Sequence, residues 1–132
     1  MKNLLFRKRT SPGHLSPREL GVLGENLACQ YLEKENYAIL ERNFRCFLGE
    51  IDIVARENHR IVIVEVKTQY SHVNIPIEWK INGRKKKKLY SLFRFYQHTR
   101  LTPGTECRID VITVIVNSDN SLLELKHYKR AI

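Results

Sequence analysis

The first third of the chain carries apolar residues at the three- and four-residue spacing of an amphipathic helix. The order Ser16-Pro17-Arg18-Glu19 combines a capping box with proline at the first helical position, which predicts a helix start at Ser16. Asn36 is a typical stop signal. The predicted buried stripe consists of Leu20, Leu23, Leu27, Ala28, Tyr31 and Leu32.

From Tyr37 onward the pattern changes to short, β-branched and alternating runs, which predict strands. The five candidate strands are 37–43, 50–56, 60–67, 108–116 and 122–128. Turn residues between the first three predict an antiparallel meander. A second helical pattern covers residues 83–100. The order αβββαββ therefore predicts a mixed β-sheet with helices packed on it, in an α/β or α+β sandwich.

The length and the net charge of the chain indicate its domain organisation and the chemical class of its partner. The 132 residues suit one domain, predicted at 16–132, preceded by a flexible basic arm at 1–15 that could add phosphate contacts. The formal net charge is +9, which is high for so small a chain and favours a polyanionic partner, nucleic acid first.

The composition argues against a disulfide-bonded protein, a histidine-based zinc protein and a membrane-spanning protein. Three widely separated cysteines lack disulfide or C-x-x-C spacing, and the five histidines have no zinc-site spacing. No apolar run approaches the length that spans a membrane. We therefore expect a cytoplasmic chain with reduced thiols, no histidine-based zinc site and no membrane partner.

Candidate chemistry lies in the third predicted strand, whose apolar run is broken by Glu65 and Lys67. Side chains alternate along a strand, so these two project from the same face. If the preceding hairpin turns at Asn58-His59, Asp52 lies opposite Glu65, with Cβ atoms roughly 5 Å apart. Two carboxylates so close repel each other unless a proton or a cation lies between them.

A hard divalent cation, Mg²⁺ or Mn²⁺, would resolve that repulsion, because carboxylate oxygens are the ligands it prefers. Asp52 and Glu65 are the predicted metal ligands, and Lys67 is positioned to stabilise charge on a phosphate. The alternative interpretation is a buried ion pair between Lys67 and one of the two acids.

A set of ordered motifs resembles a known family. Gly49 to Ala55 followed by Val64-Glu65-Val66-Lys67 resembles the D…E-x-K signature of the restriction-endonuclease-like, PD-(D/E)XK nuclease superfamily. More narrowly, the ordered set from about Gly21 to the C-terminus resembles the bacterial YraN-like family, UPF0102. The other motifs in the set are Gly24-Glu25, Arg42-Asn43, Lys85 with Leu89, and Arg108-Ile109-Asp110-Val111.

The resemblance implies an α/β fold with a restriction-endonuclease-like mixed sheet flanked by helices. It also implies that Glu25, on the first helix, lies near the metal as a further catalytic acid; helical position alone favours a solvated flank. Similarity to archaeal Holliday-junction resolvases implies DNA, with branched or structured DNA a possible substrate. Gln69 departs from the family pattern, in which arginine is common two places after the lysine.

Three further groups of residues are candidates for ligand binding or for a structural role. The run Arg84, Lys85, Lys86, Lys87, Lys88 is either a phosphate-binding surface, which we favour, or an ordinary wet face. Arg108 and Asp110 share a strand face and suggest a structural pair beside the site. Trp79 and Tyr70 are candidates for base stacking, although core positions are more usual for such aromatics.

Two hypotheses of different class follow. The first is a Mg²⁺- or Mn²⁺-dependent endonuclease that hydrolyses phosphodiester bonds in nucleic acid, with DNA ranked ahead of RNA. The second is a nucleic-acid-binding accessory module that keeps the nuclease scaffold with little or no catalysis. A purely structural role ranks third, because it has no need of a core-strand lysine beside two acids.

Overall fold

The first helix begins where its capping residues predict. The computed structural model describes residues 15–80 and 82–132, apart from the side chains of residues 79 and 80, so the predicted basic arm lies almost wholly outside the described residues. Helix α1 (Pro17–Lys34) is capped by Ser16, whose hydroxyl accepts from the Glu19 N–H at 3.1 Å. The Glu19 carboxylate accepts the Ser16 N–H in return, at 2.9 Å, which confirms the capping box.

The predicted element order αβββαββ is confirmed, and the fold is a mixed α/β arrangement. The strands are β1 (Ala38–Cys46), β2 (Gly49–Glu57), β3 (Arg60–Tyr70), β4 (Cys107–Val116) and β5 (Leu122–Tyr128). They form one sheet in the order β1-β2-β3-β4-β5. Only the β3–β4 pair is parallel, because the chain between them crosses over through a 3₁₀ turn (Ile77–Lys80) and helix α2 (Gly83–Arg100).

The two helices pack on opposite faces of the sheet. On the α1 face, alternate β3 residues such as Val62 and Val64 pack against Ala28 and Leu32. On the α2 face, Ile63 packs in a cluster with Leu92 and Tyr96. Burial on both sides explains why β3 has an almost continuous apolar run. Within the described residues, neither helix is long and apolar enough to cross a membrane.

Strand ends differ from the sequence prediction where a distant partner extends the pairing. The predicted end of β3 at Lys67 is wrong, because parallel pairing with β4 continues to Tyr70 opposite Val116. The predicted end of β1 at Asn43 is wrong for a similar reason, since β1 pairs with β2 as far as Cys46 opposite Gly49. The hairpin register between β2 and β3 is as predicted.

Helix α1 lies close to β3 because Gly24 has no side chain. A Cβ built on Gly24 would overlap the Thr68 hydroxyl and approach Thr68 Cβ to 2.8 Å and Cγ2 to 2.9 Å. Both branches of Thr68 and its Cβ stand in the way, so rotating that side chain would not make room. Gly24 therefore sets the distance between α1 and strand β3.

We expect Gly24→Ala to lower the free energy of unfolding by about 1–3 kcal/mol, the usual cost of overpacking. Gly21→Ala is the matched control, because it lies in the same helix and its added Cβ meets nothing within 4 Å. The control should raise stability by up to about 1 kcal/mol through helix propensity. Urea unfolding followed by circular dichroism measures both changes, and equal stability of the two variants would contradict the packing argument.

Candidate functional site

Glu65 and Lys67 meet on the α2 face of strand β3, as the alternation of the strand predicts. The Lys67 Nζ lies 2.9 Å from Glu65 Oε2, and both side chains are about four-fifths covered, at 22% exposure for Lys67 and 18% for Glu65. The ion pair considered from sequence is therefore present. Its position at the wall of a groove leaves both groups within reach of a ligand.

Asp52 joins them where the β2–β3 ladder stops. Backbone pairing runs from Glu57 opposite Arg60 to Ile53 opposite Val64 and is not continued at Asp52. The Asp52 Oδ2 instead accepts the backbone N–H of Val66 at 2.8 Å, which places a carboxylate where a strand carbonyl would otherwise be. This bond orients Asp52 toward the neighbouring Glu65.

The two carboxyl groups interact strongly. Burial, the negative charge of Glu65 and a hydrogen bond between the two side chains together raise the pKa of Asp52 to about 8, against the lowering effect of the Val66 N–H. A smaller contribution from the charge of Glu25 also raises this pKa. Without a cation, these effects favour the protonated form of the Asp52 carboxyl.

This pair fits a divalent cation. A cation between two partly buried carboxyl groups would remove the repulsion between them, and hard ions such as Mg²⁺ are held by one or two carboxylates with water and phosphate completing the shell. The described residues contain no group of three or more His, Cys, Asp or Glu side chains able to hold a metal. Asp52 and Glu65 are the carboxylates that could hold a cation at this position.

A groove of about 200 Å³ runs between the sheet and helix α2 at this point. Its lining residues are Glu50, Glu65, Lys67, Lys85, Lys88, Leu89 and Leu92. Three lysines thus surround the carboxylates over a leucine floor. Such a groove combines acidic donors for a cation with ammonium groups for an anion, which is the pairing that a phosphate ester with its metal requires.

The five consecutive cations of α2 do not act as one surface. All of Arg84 to Lys88 are exposed, but successive helix residues point about 100° apart, so only some face the groove. Lys85 and Lys88, one turn apart, line the groove, whereas Lys86 lines a separate cavity beside Tyr128. On this face, the candidate phosphate-binding residues are therefore Lys85 and Lys88, which are fewer than the five of the sequence run.

Asn82, which the sequence reasoning did not select, and Gly49, which begins the predicted motif block, shape this end of the groove. Asn82 caps α2, its side chain accepting the Lys85 N–H at 3.0 Å, and it satisfies one of the free donors at a helix start that has no acidic residue. Gly49 has a φ of 137°, and a Cβ there would lie 3.2 Å from Lys88 Cε. Glycine at this position lets Lys88 lie against the start of β2.

Glu25 lies near the site but is held by strand β1. Its Oε1 accepts a hydrogen bond from Asn43 Nδ2 at 3.0 Å and lies 3.7 Å from Arg42 NH2. Asn43 has a φ of 54°, a left-handed conformation that is uncommon outside glycine and asparagine. Glu25 therefore acts on Asp52 through space, and its direct role in metal binding stays a prediction.

Arg108 and Asp110 form the expected pair, but on the other face of the sheet. Arg108 donates from Nε to Asp110 Oδ1 at 2.9 Å and from NH2 to Oδ2 at 3.2 Å. Asp110 is opposite Val64, whose side chain belongs to the α1-face core, and it also contacts His127 at 2.7 Å. The predicted location beside the site is wrong, because parallel register puts Asp110 across the sheet from Glu65.

The other sequence candidates near β3 are structural or undescribed. Tyr70 is buried, and its hydroxyl donates to Asn120 Oδ1 at 2.6 Å, so the core interpretation holds for it. Gln69 is also buried and donates from Nε2 to the Ile75 carbonyl at 2.9 Å. The side chain of Trp79, the other stacking candidate, lies outside the described residues.

Comparison with known proteins identifies the family. The sequence profile described as uncharacterised protein family UPF0102 matches residues 24–114. A UPF0102 protein of Clostridium botulinum (type Ba4) is 40% identical over 119 residues, covering 89% of this chain and 97% of the relative. The chain belongs to family UPF0102. A further UPF0102 protein, from Clostridium acetobutylicum, is 41% identical over the same shares of the two chains.

Family membership confirms the narrower of the two resemblances. The matched region contains Glu25, Asp52, Glu65 and Lys67 together with the groove lysines of α2. The family's description assigns no activity, so the chemistry of the site rests on the geometry of this chain.

We expect the stability of the metal-free protein to fall as pH rises from about 4 to 8, because Asp52 has a higher pKa folded than unfolded. In that window the folded state binds one proton more than the unfolded state, so the free energy of unfolding decreases by at most about 1.4 kcal/mol per pH unit. Urea unfolding in EDTA at several pH values measures this slope.

Asp52→Asn should flatten the slope, since the amide stays neutral. Glu124→Gln, an exposed carboxylate on β5, should keep the wild-type slope. An unchanged slope in Asp52→Asn would show that burial of this carboxyl is not what couples stability to pH.

Proposed function

We propose that this chain is a metal-dependent phosphodiester hydrolase that acts on nucleic acid, with DNA as the preferred substrate. The observation that carries the proposal is the meeting of Asp52, Glu65 and Lys67: a partly buried pair of strongly interacting carboxyl groups, and an ammonium group 2.9 Å from Glu65, which lines the groove. A structural ion pair would need one acid, and it would not need the second carboxyl to be buried against the first.

Each side chain has a separate task in this proposal. Asp52 and Glu65 hold Mg²⁺ or Mn²⁺, and the Val66 N–H keeps the Asp52 carboxylate in position. The bound ion supplies a Lewis acid and lowers the pKa of a coordinated water. Lys67 exchanges its contact with Glu65 for a contact with the phosphate, where its charge stabilises the negative charge that develops in the transition state.

The surrounding charges favour a polyanion. The net charge of +9 attracts nucleic acid over long distances, and Lys85 and Lys88 stand on the helix side of the groove, where they can contact phosphates on either side of the scissile bond. The preference for DNA, and for branched or structured DNA, follows from the resemblance of the D…E-x-K block to restriction-endonuclease-like nucleases and junction resolvases.

A second candidate function is an accessory module that binds nucleic acid without effective catalysis. One observation favours it: the third acid, Glu25, is engaged by Asn43 and Arg42, so that the described residues bring two carboxylates to the metal position and not three. Both candidates use the same basic groove. They differ in whether binding leads to metal-dependent cleavage.

We expect Asp52→Asn, Glu65→Gln and Lys67→Met each to lower cleavage by about 10²-fold or more, the usual effect of removing a preorganised catalytic group. The substrates are single-stranded, duplex, flap and four-way DNA, and single-stranded RNA, each with Mg²⁺ or Mn²⁺. Glu124→Gln and Lys126→Met, which alter an exposed pair on β5, are matched controls and should retain activity.

Calorimetric titration of Mg²⁺ and Mn²⁺ separates the two candidates further. Binding that is abolished in Asp52→Asn supports the metal site, and cleavage that survives this substitution would remove the site assignment. Salt-sensitive DNA binding that is unchanged by Glu65→Gln, with no cleavage by wild type, would favour the accessory module.

The groove lysines generate a separate prediction. Lys85→Ala with Lys88→Ala should weaken DNA binding more than Lys86→Ala with Lys87→Ala, although both pairs remove two charges from the same helix. Each lysine–phosphate interaction that is removed should reduce the slope of log K against log salt by about 0.7–0.9. Fluorescence anisotropy at several salt concentrations measures this slope, and equal weakening in the two double variants would contradict a role for helix orientation.

A further inference from the structure

The most exposed large apolar side chain of the described residues lies at the tip of the β1–β2 hairpin. Phe47 is the first residue of the two-residue turn that connects β1 to β2 after Cys46, and 84% of its surface is accessible. Isolated surface apolar residues are common, so exposure alone assigns no role. What distinguishes Phe47 is its position relative to the groove.

The backbone of Phe47 lies near the groove that holds Glu65 and Lys67. Gly49 is two residues further along the chain, so its Cα lies within about 8 Å of the Phe47 Cα. The Cβ position of Gly49 is 3.2 Å from Lys88 Cε, and Lys88 lines the groove. A nucleic-acid strand with a phosphate in the groove would therefore pass the ring within a few nucleotides.

The ring is held in place on one side and open on the other. Phe47 makes an edge-to-face contact with Phe95 of α2, with centroids 5.5 Å apart and planes at 87°. Phe95 in turn packs against the buried Phe44, at 6.5 Å between centroids. Because the contact with Phe95 favours one orientation of the ring and phenylalanine has only two side-chain torsions, a ligand that contacts Phe47 costs little side-chain entropy on binding.

The charges around Phe47 fit a nucleotide better than a protein surface. Arg45, which precedes the turn on β1, is 73% exposed and contacts Glu50 at 3.6 Å, and Lys88 and Lys85 lie on the groove side. The centres of protein–protein interfaces are depleted of lysine. An exposed aromatic ring among cations matches the alternation of base and phosphate along a single strand.

We propose that Phe47 is a stacking platform for an unpaired base beside the candidate catalytic groove. The chain would then prefer single-stranded nucleic acid, or a junction that contains unpaired bases, over a continuous duplex, in which base faces are already stacked on each other. This inference rests on the proposed nucleic-acid function and adds to it the class of substrate.

The test is the dissociation constant for a fluorescein-labelled single-stranded oligonucleotide and for a hairpin duplex of the same sequence. The full chain is used in EDTA, so that neither metal binding nor cleavage is required. Phe47→Ala should weaken binding of the single strand by about 5- to 140-fold, the range for removing one base–aromatic stack, and should affect the duplex much less.

Three further variants separate stacking from other effects. Phe47→Trp should retain the affinity, and its added indole emission should be quenched by the bound single strand. Phe47→Leu keeps apolar bulk against Phe95 but has no aromatic face, so its affinity should fall as that of Phe47→Ala does. Leu123→Ala, which removes an apolar side chain with 56% exposure on β5, should change nothing.

Several results would overturn the inference while leaving the proposed function standing. In the first, Phe47→Leu binds the single strand with wild-type affinity. In the second, Phe47→Ala weakens binding of both probes equally. In the third, substitution of Phe47 shifts the oligomeric state in size-exclusion chromatography without changing the affinity. The last result would indicate a protein-contact role. A wild-type chain that binds neither probe would overturn the proposed function as well.

Discussion

The contact between two partly buried carboxyl groups, Asp52 and Glu65, is the interaction on which the rest of the site depends. Taking carboxylate charge out of water is unfavourable, and the raised pKa of Asp52 lessens that cost because it favours the neutral form of this group. The β2–β3 ladder ends at Ile53 and does not include Asp52, so the Val66 N–H is available to hold Asp52 in this position. A break in ordinary strand pairing thus brings two carboxyl groups together beside the groove.

The charged groups on the two faces of the sheet have different surroundings. On the α1 face, Arg108 and Asp110 form a buried pair that His127 extends, and every charged group in it has a partner. On the α2 face, Glu65 and the lysines line an open groove, and Asp52 lies beside Glu65. Strand β3 belongs to both layers, since its alternate residues enter the α1-face core, while Glu65 and Lys67 point into the groove.

Much of this arrangement is predictable from short stretches of sequence. The bounds of α2 and β5 and the grouping of Glu65 with Lys67 follow from periodicity. The hairpin register that brings Asp52 to Glu65 follows from a two-residue turn in which Asn58 adopts a left-handed φ of 57°. What these features share is that the residues concerned are close in sequence, so that pattern and turn chemistry determine their relative positions.

Patterns within short stretches of sequence therefore predict the order of the elements, the hairpin register and the charges available to the site. Long-range packing, by contrast, turns Lys85 and Lys88 toward the groove, brings Glu25 to Asn43 and places Asp110 across the sheet from Glu65. Each of these depends on how a helix is rotated or which strand lies alongside, and those orientations come from packing between segments far apart in the chain. A local pattern specifies which side chains share a face, whereas packing of the whole core specifies what that face meets.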